Sequence, residues 1–270
     1  MKKQILSCLA VAISFLLPSC LEYETEITVN KDGSGTITDE MVMGSQMIGM
    51  MEMAAAQGGQ AQNPLAEMKD EAKLKEKAKE FGEGVTFVSA EDIKRKNGGK
   101  GVRVTYKFTD INKVTFSPNS GMDQLGKMKP GAKAEAAAGE AKATFAYADG
   151  KLTIKLPQPE DDASSEASEG DVKVDTEDPQ MAMMAEMMKG MKMSAKVTLA
   201  PGIAETNATH HAENTITLFE LNFDEVMKNP DGLKALGGLD KKSPAEVGKA
   251  LEKVKGAKAE TQKEITATMK

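Results

Sequence analysis

Val102-Arg103-Val104-Thr105-Tyr106-Lys107-Phe108-Thr109 is the stretch on which the fold turns. Val102, Val104, Tyr106 and Phe108 fall on one side of an extended chain, and Arg103, Thr105, Lys107 and Thr109 on the other. Successive side chains of a strand point to opposite faces, so this is a strand with one dry face and one wet face. The pattern recurs in both directions along the chain. Leu152, Ile154 and Leu156 alternate with Lys151, Thr153 and Lys155. Ala195, Val197 and Leu199 alternate with Lys196 and Thr198. Tyr23, Thr25, Ile27 and Val29 alternate with Glu22, Glu24, Glu26 and Thr28. Turn chemistry separates these segments: Asp32-Gly33 before Thr36 to Val42, Asp149-Gly150 before Leu152, and Pro201-Gly202 before Ile203 to Thr206. A further turn spans His210 to Asn214, ahead of Thr215 to Leu221. Alternation of this kind predicts an α+β fold built on an antiparallel sheet with one solvated face.

Helical signals lie between the strands. Residues 43 to 55 are rich in Met and predict a helix. A second helix is expected from Leu65 to Phe81, with Glu71 and Lys75 in the favourable i,i+4 order. Its apolar residues divide over two faces, which predicts a solvated helix. Ser243, Pro244 and Glu246 form an N-cap, N1 and capping-box set ahead of Val247, Ala250, Leu251 and Val254. Residues 222 to 270 therefore read as a helical C-terminal extension that ends, after Gly256, in a polar tail. Residues 119 to 142 are rich in Gly, Ala and Lys and read as a low-complexity insertion.

The first 19 residues differ from the rest. Lys2 and Lys3 precede an apolar run from Ile5 to Leu17, and no acid occurs before Glu22. This is the pattern of a secretory signal peptide, too short for a spanning helix. Leu17-Pro18-Ser19-Cys20 closes it and resembles the lipobox of bacterial lipoproteins, with Pro18 as a departure from the family pattern. The resemblance implies cleavage before Cys20 and lipidation of its thiol and new amine. Residues 20 to 221 are then the α+β domain. Leu21 stands where related lipoproteins retained in the inner membrane commonly carry Asp, which favours the outer membrane where the source has one. Cys8 leaves with the signal, so no pair of thiols remains for a disulfide and none for Cys catalysis.

The formal charge of the whole chain is −6, and removing Lys2 and Lys3 makes it −8. The acidic loop at 157 to 179 carries that surplus, from Glu160 to Asp178, and reads as solvated. The remainder is balanced, so no field points to nucleic acid as a partner. With 270 residues, 4% aromatics and 10 Pro, the chain is neither collagen nor a polytopic membrane protein.

Of the 19 Met residues, most lie in residues 41 to 53 and 181 to 193. Met47, Met50 and Met51 share one helical face, and Met184, Met188 and Met191 share another. Three readings compete. Met fills irregular gaps in a core short of aromatics, and two such helices would cover the dry face of the sheet. The same softness suits a groove for a hydrophobic ligand, a lipid or an envelope protein. Thioethers also bind Cu(I), although no His or Cys lies near. No Walker loop, dinucleotide fingerprint, paired-carboxylate motif, His-Glu-x-x-His or Gly-x-Ser-x-Gly occurs. His210 and His211 are adjacent in a turn and point apart. The expectation is a non-enzymatic protein with no catalytic residue, metal site or cofactor.

Asp32-Gly33-Ser34-Gly35, the strand opening at Gly101-Val102, the hairpin at Gly150, and Ala200-Pro201-Gly202 followed by Thr206-Asn207 occur in that order. This arrangement resembles the LppM-like domain of bacterial lipoproteins over about residues 21 to 221. The resemblance implies a central α+β domain and a non-catalytic envelope role with lipid or surface interaction. It transfers no catalytic residue. Members often carry a C-terminal membrane helix, whereas residues 222 to 270 are polar and lysine-rich.

Overall fold

The computed structural model of the chain describes residues 21–56, 64–118, 120–121, 142–157, 189–228 and 254–270. Among these residues the strands are β1 (Leu21–Val29), β2 (Gly35–Met43), β3 (Thr86–Lys94), β4 (Lys100–Phe108), β5 (Thr115–Phe116), β6 (Ala143–Ala148), β7 (Lys151–Lys155), β8 (Lys192–Leu199), β9 (Ile203–Thr206), β10 (His211–Ala212), β11 (Thr215–Asn222), β12 (Ala257–Ala259) and β13 (Glu264–Met269). The helices are α1 (Ser45–Ala56), α2 (Pro64–Glu67), α3 (Glu71–Glu80) and α4 (Phe223–Met227). The class is α+β, with sheet predominating.

Among the described residues there are two sheets, not the single sheet expected. The larger runs β10-β11-β8-β1-β2-β4-β3, with β12 added to β11. The smaller runs β5-β6-β7-β13-β9. The expectation of an antiparallel sheet holds for every pair except one: β1 lies parallel to β8, with Ile27 opposite Val197. A parallel neighbour needs a long connection, and 162 residues separate Val29 from Lys192. The chain crosses between sheets at tight turns. β8 ends in the larger sheet, Gly202 adopts a φ of 96°, and β9 begins in the smaller one. Asn207 then holds the chain as it leaves β9. Its Oδ1 accepts from the Thr266 N–H at 2.7 Å, and its Nδ2 donates to Gln262 at 2.8 Å.

The alternation seen in the sequence decides what is buried. Leu21, Tyr23, Thr25, Ile27 and Val29 of β1 face inward, as do Ile37, Asp39, Met41 and Met43 of β2. Val102, Val104, Tyr106 and Phe108 of β4 join them. Helix α3, the smaller sheet and the two-sheet crossings complete one contiguous core. The far end of the larger sheet meets the smaller one at the Asn30–Ser34 turn, where the Tyr147 hydroxyl donates to the Lys31 carbonyl at 2.6 Å.

Several expectations are corrected. The helix read from 65 to 81 is two helices. Asp70 breaks the run and caps α3, accepting from the N–H groups of Ala72 and Lys73 at 3.0 and 3.2 Å. This helix is docked, not solvated: Leu74, Ala78 and Phe81 are buried. The polar tail after Gly256 is strand, because Ile265, Ala267 and Met269 alternate with Glu264, Thr266 and Thr268 and slot between β7 and β9. Residues 222 to 270 are thus no separate extension where they are described: α4 continues from β11, and β12 and β13 complete the two sheets. The helix expected at Ser243, all of the low-complexity insertion except residues 120, 121 and 142, and the acidic loop beyond Pro157 lie outside the described residues.

Candidate functional site

The larger sheet offers two polar features, one on each face. The inner one was not expected. Asp39 occupies an inward position of β2, between Ile37 and Met41, and its side chain is 1% exposed. An isolated carboxylate there would be costly. Two donors satisfy it: the Thr25 hydroxyl at 2.7 Å from Oδ1, and the Lys77 ammonium of α3 at 2.5 Å from Oδ2. Lys77 also lies 5.8 Å from the centre of the Phe81 ring. That ring sits 5.1 Å from Tyr106, whose buried hydroxyl has no hydrogen-bond partner among the described residues.

This cluster holds its protons tightly. Burial pulls the Lys77 ammonium down, but the field of Asp39, those of Tyr23 and Tyr106, and the hydrogen bond to Asp39 together outweigh it, so its pKa stands above the ordinary value. Burial pushes the Tyr106 phenol up against the opposing pull of Lys77. Burial, then the charge of Asp39, push Tyr23 up as well. In each case the folded pKa exceeds the unfolded one. The stabilisation is therefore complete below the unfolded values, about pH 10, and is lost as pH rises through the folded values. Urea unfolding is expected to show stability falling from about pH 9 to about pH 11, by up to about 1.4 kcal/mol per pH unit per group. Tyr106→Phe removes one of these groups together with an unpartnered hydroxyl. It should flatten the alkaline fall and leave neutral-pH stability unchanged or higher.

The outer face carries the second feature, a shallow cavity of about 380 Å³ near the start of β1. Glu24 faces it between Ser194 and Lys196 of β8. Ser194 Oγ donates to its carboxylate at 2.9 Å, and the Lys196 ammonium makes a shorter contact with the same oxygen. Burial works against the Glu24 carboxylate, but the hydrogen bonds from Lys196 and Ser194 and the charges of Lys196 and Arg95 hold its pKa below the ordinary range. Glu40, one strand over, takes Arg95 at 2.6 Å and Arg103 at 2.7 Å. Glu220 pairs with Lys258 at 3.0 Å. Each of these carboxylates is spent on a cation. Partly exposed pairs of this kind contribute about 0–1 kcal/mol each, and they make the face self-neutralising. No group of three His, Cys, Asp or Glu side chains among the described residues is placed to hold a metal ion.

The residues singled out from the sequence fall as follows. Cys20 lies outside the described residues, one position before β1. Met47 is half-buried on α1 and packs, with Ile48, against the core. Met50 and Met51 belong to the same helix. Met191 is 4% exposed, and with Met193 it leads into β8 as extended chain instead of helix. Met184 and Met188, and with them the expected pairing of two Met-rich helices, lie outside the described residues. Met41, Met43, Met193 and Met269 are core residues. The sequence reading missed Asp39 and Lys77. The parity of Asp39 with Ile37 and Met41 was the available signal for it.

No protein-family model matches the chain, and no curated protein matches it. Among solved structures it is similar to the folded domain of the LppM protein of Mycobacterium tuberculosis, determined by NMR. The identity is 8% and the TM-score 0.30, with 77% of this chain and 85% of that one covered. A superposition this loose carries no argument about activity, and the functional reading rests on the chain's own residues.

Proposed function

We propose that the protein is a lipid-anchored bacterial envelope lipoprotein of structural or interaction type, held to the membrane through Cys20. The observation that supports this best is the burial of Leu21, the residue after Cys20. Leu21 is the first residue of β1 and is 3% exposed, paired with Met43 in the interior of the larger sheet. The expected signal-peptide boundary between Ser19 and Cys20 therefore falls directly before the first strand. Cleavage there leaves the acylated residue one position before the buried Leu21. The self-paired outer face and the structural ion pair on the inner face fit a binding or scaffolding role. No helix among the described residues is long and apolar enough to cross a membrane, so the lipid is the attachment this reading requires.

Labelling cells with a radioactive fatty acid tests the reading. The wild-type chain should take up label and Cys20→Ser should not. Equal label in both would remove the anchor. A hydrophobic-ligand role for the Met residues is the second reading. It is favoured by Met53 on α1, which is 61% exposed.

A further inference from the structure

We propose that the rim of the larger sheet where β1 begins, together with helix α1, rests on an anionic lipid surface. The inference rests on the anchored reading and adds to it which surface faces the membrane. It begins with length. One residue of extended chain spans at most about 3.5 Å. Leu21 is already fixed in the sheet, so a lipid on Cys20 has no linker to reach through. The rim that holds Leu21 is brought to the headgroups wherever the acyl chains insert.

The register names that rim. Leu21 lies opposite Met43, and Met43 opposite Lys100. Lys100 lies opposite Lys94, and Glu22 opposite Lys192. The strand ends and their connections here expose Lys94, Lys96, Lys100, Lys189 and Lys192, together with Arg95, which is already held by Glu40. The carboxylates at this rim are Glu22, Glu52 of α1, which lies 3.9 Å from Lys100, and Asp224 and Glu225 of α4, the last held by Lys228 and Lys255 of the same rim, so cations outnumber acids here. The opposite strand ends are close to balance, with Asp32, Glu83, Asp110 and Glu213 against Lys31, Lys107 and Lys113, the last paired with Glu83 at 2.8 Å. The sheet is thus more positive at the anchored end than at the far end. Each Lys or Arg close to an anionic leaflet adds to the attraction.

Helix α1 supplies the apolar part. It leaves β2 through Gly44 at this same rim, and its Ser45 packs against the Arg95–Gly99 turn, 3.3 Å from where a Cβ on Gly98 would lie. Met47 and Ile48 hold one side of the helix on the core. Met53 stands out from it, exposed. A large apolar side chain beside a cationic rim and a lipid attachment point matches the headgroup boundary, where apolar faces bury and basic residues meet phosphate.

The chain has no Trp, so a single introduced Trp reports its own surroundings without background. The lipidated full chain is placed in vesicles of phosphatidylethanolamine and phosphatidylglycerol with brominated acyl chains, after intact mass has established the lipid on Cys20. Trp at Met53→Trp should be quenched several-fold more than Trp at Lys107→Trp, on the far rim. Lys96→Trp, in the exposed turn, gives the same reading should Met53→Trp fail to fold. Charge reversal at Lys94, Lys96 and Lys100 to Glu should cut the quenching at position 53 by half or more. Equal quenching at the two rims on lipidated protein overturns the docking and leaves the anchor standing. A chain that carries no lipid overturns both.

Discussion

Replacing Lys77 by Met is expected to lower the stability of the fold by about 3–5 kcal/mol, the cost of stranding a buried charge. That corresponds to a drop in Tm on the order of 10 °C for a chain of this size. The two partners differ in whether they can escape to water. The Asp39 carboxylate is fixed in the middle of the sheet and cannot reach water when its cation is gone. Thr25 then remains as its one side-chain donor. Lys77 is 27% exposed at its side chain and has a long stem, so it can turn outward if Asp39 is lost. Asp39→Leu should accordingly cost less than Lys77→Met. The double variant Asp39→Leu with Lys77→Met should recover most of the loss, because an apolar pair of similar volume replaces the buried ion pair without its desolvation cost. Chemical denaturation of the four proteins measures the cycle. A Lys77→Met variant within about 0.5 kcal/mol of the wild type would mean that the pair does not hold α3 to the sheet.

Deleting residues 263–270 is expected to have an effect at least as large. Strand β13 lies between β7 and β9, so its removal divides the smaller sheet and leaves two unpaired edges. Ile265 and Met269, 0% and 7% exposed, are lost from the core. Each fully buried side chain of that size contributes about 1.5–3 kcal/mol, before the ladder hydrogen bonds are counted. The Asn207 side chain also loses the Thr266 N–H that holds the chain as it leaves β9. Hydrogen exchange should show protection lost across β6, β7 and β9 while β1, β2 and β4 keep theirs. Unchanged protection in β7 and β9 would mean that the segment is the dispensable tail its polarity suggests.

These two places are also where the sequence was hardest to read. The stripe Leu74, Lys77, Ala78, Phe81 has perfect i, i+3, i+4, i+7 spacing, but its second member is charged. Counting only apolar residues splits the helix into two faces and predicts solvation. The structure restores the stripe by placing Asp39 beneath Lys77. In β13 the alternation is present, but Ala267 is a small inward residue and Thr and Glu fill the other positions, so composition masked it. The edge strand β3 was missed for a third reason. A register shift between Phe87 and Ser89 breaks its alternation, and Val88 is left exposed. By contrast β1, β2, β4, β7 and β8 were legible because each keeps strict parity over several residues. The rim cations were legible as residues, but only the register gathers four separate segments into one surface.

Intact mass spectrometry of the chain extracted from membranes tests the central claim most directly. The account predicts an N-terminal peptide that starts at Cys20 and carries a diacylglyceryl thioether with an acylated amine. A chain that keeps residues 1–19, or one that starts at Cys20 with a free thiol, would contradict it.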